Sequence, residues 1–235
     1  MSKTALVTGA SKGIGLETIR RLLDADNEVT TVVLMARDSE DFTRNVEELR
    51  RHNPHGKRII TSTVDVGNRT ALQLAIGRIY DEVGNVDLLV NNAGYTNPVP
   101  LQQVEFDDFE RTMAVNLYGP FTLVQDLLHR GNKFDLIVNV ASTAGINGRS
   151  GWLTYSASKA AVINMSQVMR DELAIYGTRV VCISPGRTAT ALRRTLAPDE
   201  DPTTIMQPEH VAQVIETLAS PVGRFIDSEN LVVRQ

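Results

Sequence analysis

Tyr155 and Lys159 stand four residues apart in the stretch GWLTYSASKAAV, separated by Ser156, Ala157 and Ser158. On a helix that spacing puts both side chains on one face, about 6 Å apart along the axis. A phenol has a reference pKa of about 10 and is a sluggish acid or base at neutral pH. An ammonium beside it favours the phenolate and brings proton exchange within reach. The pair therefore points to proton transfer to or from a substrate oxygen. The small residues between them are expected to leave room for a cofactor and a substrate. Taken alone, the pair reads equally well as a helix-surface contact.

A second constellation lies near the start. TGASKGIG places Gly9, Gly13 and Gly15, with Ser11, Lys12 and Ile14 among them, where an apolar run gives way to an amphipathic one. Glycine there lets the backbone approach a pyrophosphate, and a helix N-terminus offers free N–H groups and a positive dipole end. The order G-x-x-x-G-x-G differs from the dinucleotide fingerprint G-x-G-x-x-G. About 20 residues further on, NAD sites carry a carboxylate for the ribose 2′-hydroxyl. Arg37 occupies that place. Its guanidinium suits a 2′-phosphate, at roughly 1.5–3 kcal/mol per charge-assisted hydrogen bond. Lys12 can reach the same group. The expected cofactor is NADP(H). In the rival reading Asp38 takes the 2′-hydroxyl of NAD(H), and Arg37 is a solvated charge.

The elements that must position these groups follow from periodicity. Strands are expected at 4–9, 29–37, 58–66, 86–94, 134–142 and 179–186, with a seventh at NLVV near the end. Helices are expected from Gly13 to Asp26, then over 39–52, 68–82, 107–130, 152–176 and 208–219. Continuous apolar strands imply burial on both faces, and strand–helix alternation makes the sheet parallel. The fold class is therefore α/β. It is a single doubly wound Rossmann-type domain spanning 1–235, with six to seven parallel strands and helices on both faces. Ligands of such folds bind beyond the carboxyl ends of the strands. The proline- and acid-rich segment 197–208 reads as a mobile flap over that site.

The composition, with 22% charged and 42% hydrophobic residues and a net charge of -4, is that of a soluble globular protein. It carries no basic footprint for nucleic acid and no apolar stretch long enough for a bilayer. No signal peptide fits ahead of the first strand. Cys182, the one cysteine, reads as a buried core thiol. A cytoplasmic protein is expected. His52, His55, His129 and His210 are scattered without metal-ligand spacing, so no metal site is expected.

TGASKGIG, NNAG at 91–94, Asn116, Ser142, YSASK at 155–159 and PG at 185–186 occur in one order. In this the chain resembles the short-chain dehydrogenase/reductase family over essentially its whole length. The resemblance implies an NADP-preferring carbonyl or 3-oxoacyl reductase-like enzyme that moves a hydride between NADP(H) and a carbonyl or secondary alcohol. Tyr155 would be the general acid/base. Lys159 would prime it and bond the nicotinamide ribose, and Ser142 would hold the substrate oxygen. Asn116 would hold a water that feeds protons to Lys159. Asp65, followed by Val66, would bond the adenine amino group, and Asn91, Asn92, Ala93 and Gly94 would lie beside the adenine ribose. Pro185 and Gly186 would lead the chain over the nicotinamide, with Thr188 or Thr190 on its carboxamide. Singly, Ser142 could cap a turn, Asn116 could be a satisfied interior amide, and Thr190 could cap the helix of ALRRTLA.

Departures from the family matter too. Its glycine-rich tail is missing after NLVVRQ, which favours a homodimer, paired through 107–130 and 152–176, over a tetramer. Substrate choice falls to 95–100, 143–152 and 187–207. Trp152 would roof a pocket or pack on the helix start. Arg149, Arg187, Arg193 and Arg194 near the expected mouth suggest a small-molecule carbonyl substrate that is anionic: a phosphorylated sugar, a carboxylate or an acyl thioester. The competing readings are an NAD(H)-linked alcohol or sugar dehydrogenase and a non-catalytic NADP-binding regulator.

Overall fold

The computed structural model describes residues 2–226 and 229–235. The order begins β1 (Lys3–Thr8), α1 (Gly13–Asp24), β2 (Val29–Ala36), α2 (Glu40–Arg51), β3 (Arg58–Thr63), α3 (Arg69–Val83) and β4 (Leu88–Asn91). It continues with α4 (Phe106–Met113), α5 (Gly119–His129), β5 (Leu136–Val140), α6 (Thr143–Ile146) and α7 (Leu153–Leu173). The chain closes with β6 (Arg179–Pro185), α8 (Ala191–Leu196), α9 (Pro208–Ala219) and β7 (Asn230–Val233).

The strands form one sheet in the order β3-β2-β1-β4-β5-β6-β7. Every pair is parallel, from Leu6 opposite Val33 on one side to Ile183 opposite Leu231 on the other. Successive side chains of a strand face opposite ways, so β1 feeds two cores. Ala5 and Val7 join Leu16, Ile19 and Leu23 of α1, Leu49 of α2 and Ile215 of α9. Leu6 joins Leu72 and Ile76 of α3 and Leu123 and Leu127 of α5 on the other face. Each fully buried leucine contributes roughly 1.5–3 kcal/mol. The chain direction across the sheet reverses between β1 and β4. That switch point opens a crevice beyond the carboxyl ends of the strands.

Three differences from the sequence expectation have local causes. The fourth strand, expected over 86–94, pairs only over Leu88–Asn91. Beyond it the backbone N–H groups of Asn92 and Ala93 turn to Thr8 Oγ1, each at 3.0 Å, instead of continuing the ladder. The helix expected over 107–130 is interrupted by one π turn, Ala114–Tyr118. Pro120 lacks the N–H that would bond the Asn116 carbonyl and its ring crowds that oxygen, while Gly119 N–H reaches back five residues to Ala114 O. Thirdly, 197–208 is anchored as well as polar. It contains a short 3-10 turn at Pro202–Thr204, its Ile205 and Met206 are buried, and Met206 bridges to Thr188.

Candidate active site

A cavity of about 410 Å³ occupies the crevice. Its floor is the glycine loop. Gly9 and Gly13 have φ of 65° and 59°, a left-handed conformation that side chains resist. At Gly15 a Cβ would meet Gly9 O at 2.4 Å and Asn92 Nδ2 at 2.6 Å, so only glycine lets α1 start against the strand end. Asn92 Nδ2 donates to Thr8 O at 2.9 Å and ties the loop to the end of β4. Lys12 at the N-cap of α1 makes no side-chain cap, whereas Ser39 and Asn68 cap α2 and α3. The first N–H groups of α1 are thus left for an anion. Loop, helix end and cavity together fit a dinucleotide pyrophosphate.

Ser11, Lys12, Gly13, Ile14, Arg37, Asp65, Val66, Asn92, Ala93 and Gly94 line the same cavity with Gly9, and so does Asp38. Asp65 is held on both oxygens. Gly67 N donates to Oδ1 at 2.9 Å, and Arg111 pairs with Oδ2. Burial pushes this carboxyl up, but the two bonds and the charges of Arg111 and Arg37 outweigh it and keep its pKa low. Arg111, stacked over Tyr95 at 5.8 Å, went unnoticed in the sequence because nothing local marks a helical arginine as the partner of a distant aspartate.

The other end holds the residues expected to carry proton chemistry. Tyr155 and Lys159 lie on one buried face of α7, 6% and 4% exposed. Both line the cavity, with Ser142. Lys159 Nζ sits 5.8 Å from the centre of the Tyr155 ring and donates to Val140 O at 2.7 Å. Burial lowers the Lys159 pKa to about 8, with Cys182 acting the other way. Burial also raises the Tyr155 pKa, opposed by a hydrogen bond with Ser142 and by the charge of Arg193. Lys159, expected from the spacing to favour the phenolate, is not among these influences and donates to Val140 O instead. Arg193 is the influence on the phenol that spacing could not reveal, since it lies 38 residues downstream. Ser142 does two things at once, because its hydroxyl also caps α6 by accepting from Ala144 N at 3.1 Å.

Asn116 and Gly15 lie behind the wall. The Asn116 amide is 1% exposed and fully engaged: it accepts from Tyr95 N at 2.8 Å and donates to Tyr95 O at 3.0 Å and Ser158 Oγ at 2.9 Å. Ser156, Ala157 and Ser158 do not line the cavity, contrary to the expectation that they leave space for ligands. Ser158 instead links α7 to the π turn. The short side chains beside it suit the close approach of α6, where a Cβ on Gly145 would meet Lys159 C at 2.6 Å.

Pro185, Gly186, Thr188 and Thr190 complete the lining. Gly186 N donates to Val233 O at 2.8 Å, Thr188 Oγ1 to Gly186 O at 3.2 Å, and Thr190 caps α8 through Arg193 N at 3.1 Å. Beyond them Trp152, Leu192 and Leu196 pack around Tyr155. The sequence reading missed the two leucines, whose i, i+4 spacing in ALRRTL was the available signal. Arg149 and Arg193 sit over the Trp152 ring at 5.7 and 5.5 Å. Among the described residues no cluster of His, Cys, Asp and Glu could hold a metal. No helix there is long and apolar enough to cross a membrane.

Known proteins resemble this chain in sequence and in fold. A sequence profile described as short chain dehydrogenase matches residues 3–201. A 3-oxoacyl-[acyl-carrier-protein] reductase of Vibrio cholerae is 32% identical over 242 residues, 98% of this chain and 95% of that protein. Among solved structures, a blue fluorescent protein from a metagenomic library in complex with NADPH superposes with a TM-score of 0.85. It is 29% identical, with 99% of this chain and 96% of that one covered. An NAD+-bound xylitol dehydrogenase gives a TM-score of 0.84 at 26% identity, covering 99% and 97%.

Proposed function

The chain belongs to the short-chain dehydrogenase family, and we propose that it is an NADP(H)-dependent reductase of ketone carbonyls, 3-oxoacyl thioesters foremost. One observation carries the reading. The Tyr155 and Ser142 hydroxyls share the wall of a cavity whose far end is the glycine loop and the uncapped start of α1. The cofactor, when bound, supplies the hydride. Gly9, Gly13 and the first turn of α1 would hold its pyrophosphate, Asp65 its adenine, and Lys159 with Pro185, Gly186 and Thr188 its nicotinamide end. Ser142 would donate a hydrogen bond to the substrate oxygen and hold it beside Tyr155. Tyr155 would deliver its proton to that oxygen. A high phenol pKa suits this direction, since it keeps the proton in place until negative charge develops on the oxygen. Lys159, with a pKa of about 8, carries most of its charge at neutral pH and can resupply the proton.

Arg37 and Lys12 support NADP(H), because both line the cavity and neither forms an ion pair among the described residues. A specific observation keeps NAD(H) as the second reading: Asp38 lines the same cavity. Homology to a 3-oxoacyl reductase supports the thioester, whose anionic portion would lie near Arg149, which lines the cavity, while Arg194 does not. We also infer a cytoplasmic homodimer. The free, buried Cys182 and the apolar faces of α4, α5 and α7 support that reading.

The test is NADPH oxidation over a panel of aldehydes, ketones and 3-oxoacyl thioesters, with Tyr155→Phe beside the wild type. Expected is a loss of about 10²–10⁴-fold in kcat/KM, with the NADPH dissociation constant unchanged. Retained turnover in Tyr155→Phe would remove the phenol from the mechanism. A chain that binds NADPH but reduces no member of the panel would favour the regulator.

A further inference from the structure

Sequence spacing suggested an anion-seeking arginine cluster at the mouth, but the structure divides it. Arg193 reaches the inner wall. Its guanidinium lies over Trp152, lines the cavity and acts on the Tyr155 phenol. Its fork is already filled: Nε donates to Glu200 Oε2 at 2.6 Å and Nη2 to Glu200 Oε1 at 2.8 Å. Both side chains are largely shielded, at 18% and 15% exposure, so the pairing is not a loose surface contact. Arg187 adds a second cation to the same carboxylate at 3.2 Å, from a 61% exposed position. Glu200 does not line the cavity; it holds Arg193 from behind. The side chains packed around Tyr155 are aromatic and aliphatic, Trp152, Leu192 and Leu196, and the one guanidinium that acts on its phenol, that of Arg193, is turned onto Glu200. Arg149 and Arg194 have no ion-pair partner among the described residues.

We propose that Glu200 is a specificity-determining residue: by filling the carboxylate-binding fork of Arg193 it withholds that fork from substrates and disfavours those that carry a carboxylate beside the carbonyl. The proposal rests on the reductase reading and deepens it. A two-point guanidinium–carboxylate pair is the geometry that would otherwise select a keto acid. With Glu200 in place, an acyl thioester enters with its neutral end inward and its charge outside.

The experiment compares 3-oxobutanoate with its ethyl ester as substrates with NADPH, in wild type, Glu200→Gln and the double variant Glu200→Gln/Arg193→Gln. Wild type is expected to favour the ester. Glu200→Gln is expected to raise the acid-to-ester ratio of kcat/KM about tenfold, and the double variant to reverse that gain. Calorimetric titration of the NADPH-loaded proteins with 3-hydroxybutanoate and its ethyl ester reads the same ratio without turnover. A wild type that prefers the acid overturns the proposal, as does a ratio unmoved by Glu200→Gln. If none of the proteins reduces either compound, the calorimetric ratio alone decides for or against Glu200, and the reductase reading stands or falls separately on the panel of aldehydes, ketones and 3-oxoacyl thioesters.

Discussion

A 2′-phosphate and a 2′-hydroxyl make opposite demands on the side chain that meets them, and one residue can reverse the choice. Arg37 offers two or more charge-assisted hydrogen bonds to a phosphate and none of the acceptors that a ribose hydroxyl donates to. Arg37→Asp is expected to lower the NADPH-to-NADH ratio of kcat/KM by about a hundredfold or more. Steady-state kinetics with both cofactors measure it, and an unchanged ratio would dismiss the role of Arg37. At this scale the sequence was most legible where chemistry depends on short spacing. Tyr155 and Lys159 could be placed on one face, and Gly9 with Gly13 at a turn, from local rules alone. Arg111 beside Asp65 and Glu200 beside Arg193 could not, because each of these depends on how side chains meet once the chain has folded.

Among elements, the join of β1 to α1 is the most constrained. The helix starts so close to the strand end that an added methyl at position 15 would overlap backbone oxygen at 2.4 Å. Gly15→Ala is expected to destabilise the fold by about 1–3 kcal/mol through overpacking and to weaken NADPH binding, although Gly15 itself does not line the cavity. Urea unfolding and a fluorescence titration check the two parts, and a variant as stable and as tight-binding as wild type would contradict the account. Strand positions were readable because buried parallel strands are continuous apolar runs. The break between α4 and α5 was less so: Pro120 announces a disturbance, but whether the helix kinks, stops or takes in an extra residue depends on what Gly119 packs against. There a Cβ would meet Val66 O at 2.9 Å, which fixes α5 on the end of the sheet. The helix α6 was illegible as an element because its four residues are too short to show a period, whereas α8 showed itself as the helix of ALRRTLA that Thr190 could cap.

For the whole molecule, the parallel sheet and the two-sided core followed from strand–helix alternation, and the strand order did not. Association is a separate matter, because it depends on surface that an isolated chain leaves bare. Phe106, Tyr118 and Phe121 project from α4, the π turn and α5, and Val168 from α7 with Ile175 and Tyr176 just beyond it. A monomer rarely leaves that much apolar surface in one region. Sedimentation equilibrium is expected to give twice the chain mass of 25.8 kDa, and Phe121→Glu with Tyr118→Glu to shift it toward the monomer. A wild type that sediments as a monomer would remove the inferred dimer.

The anchoring of 187–206 outside the sheet has a wider consequence. The groups that would grip the pyrophosphate and the adenine grow from strand ends the core cannot do without. The stretch proposed to judge what is reduced leaves the sheet after the Gly186 N–H bond to Val233 and closes on itself through the Thr188–Met206 bridge. It otherwise meets the rest of the chain through side chains such as Leu192, Leu196 and Arg193. Evolution can therefore rewrite the guest list without rebuilding the house: insertions and swaps in that stretch change appetite and leave the engine running.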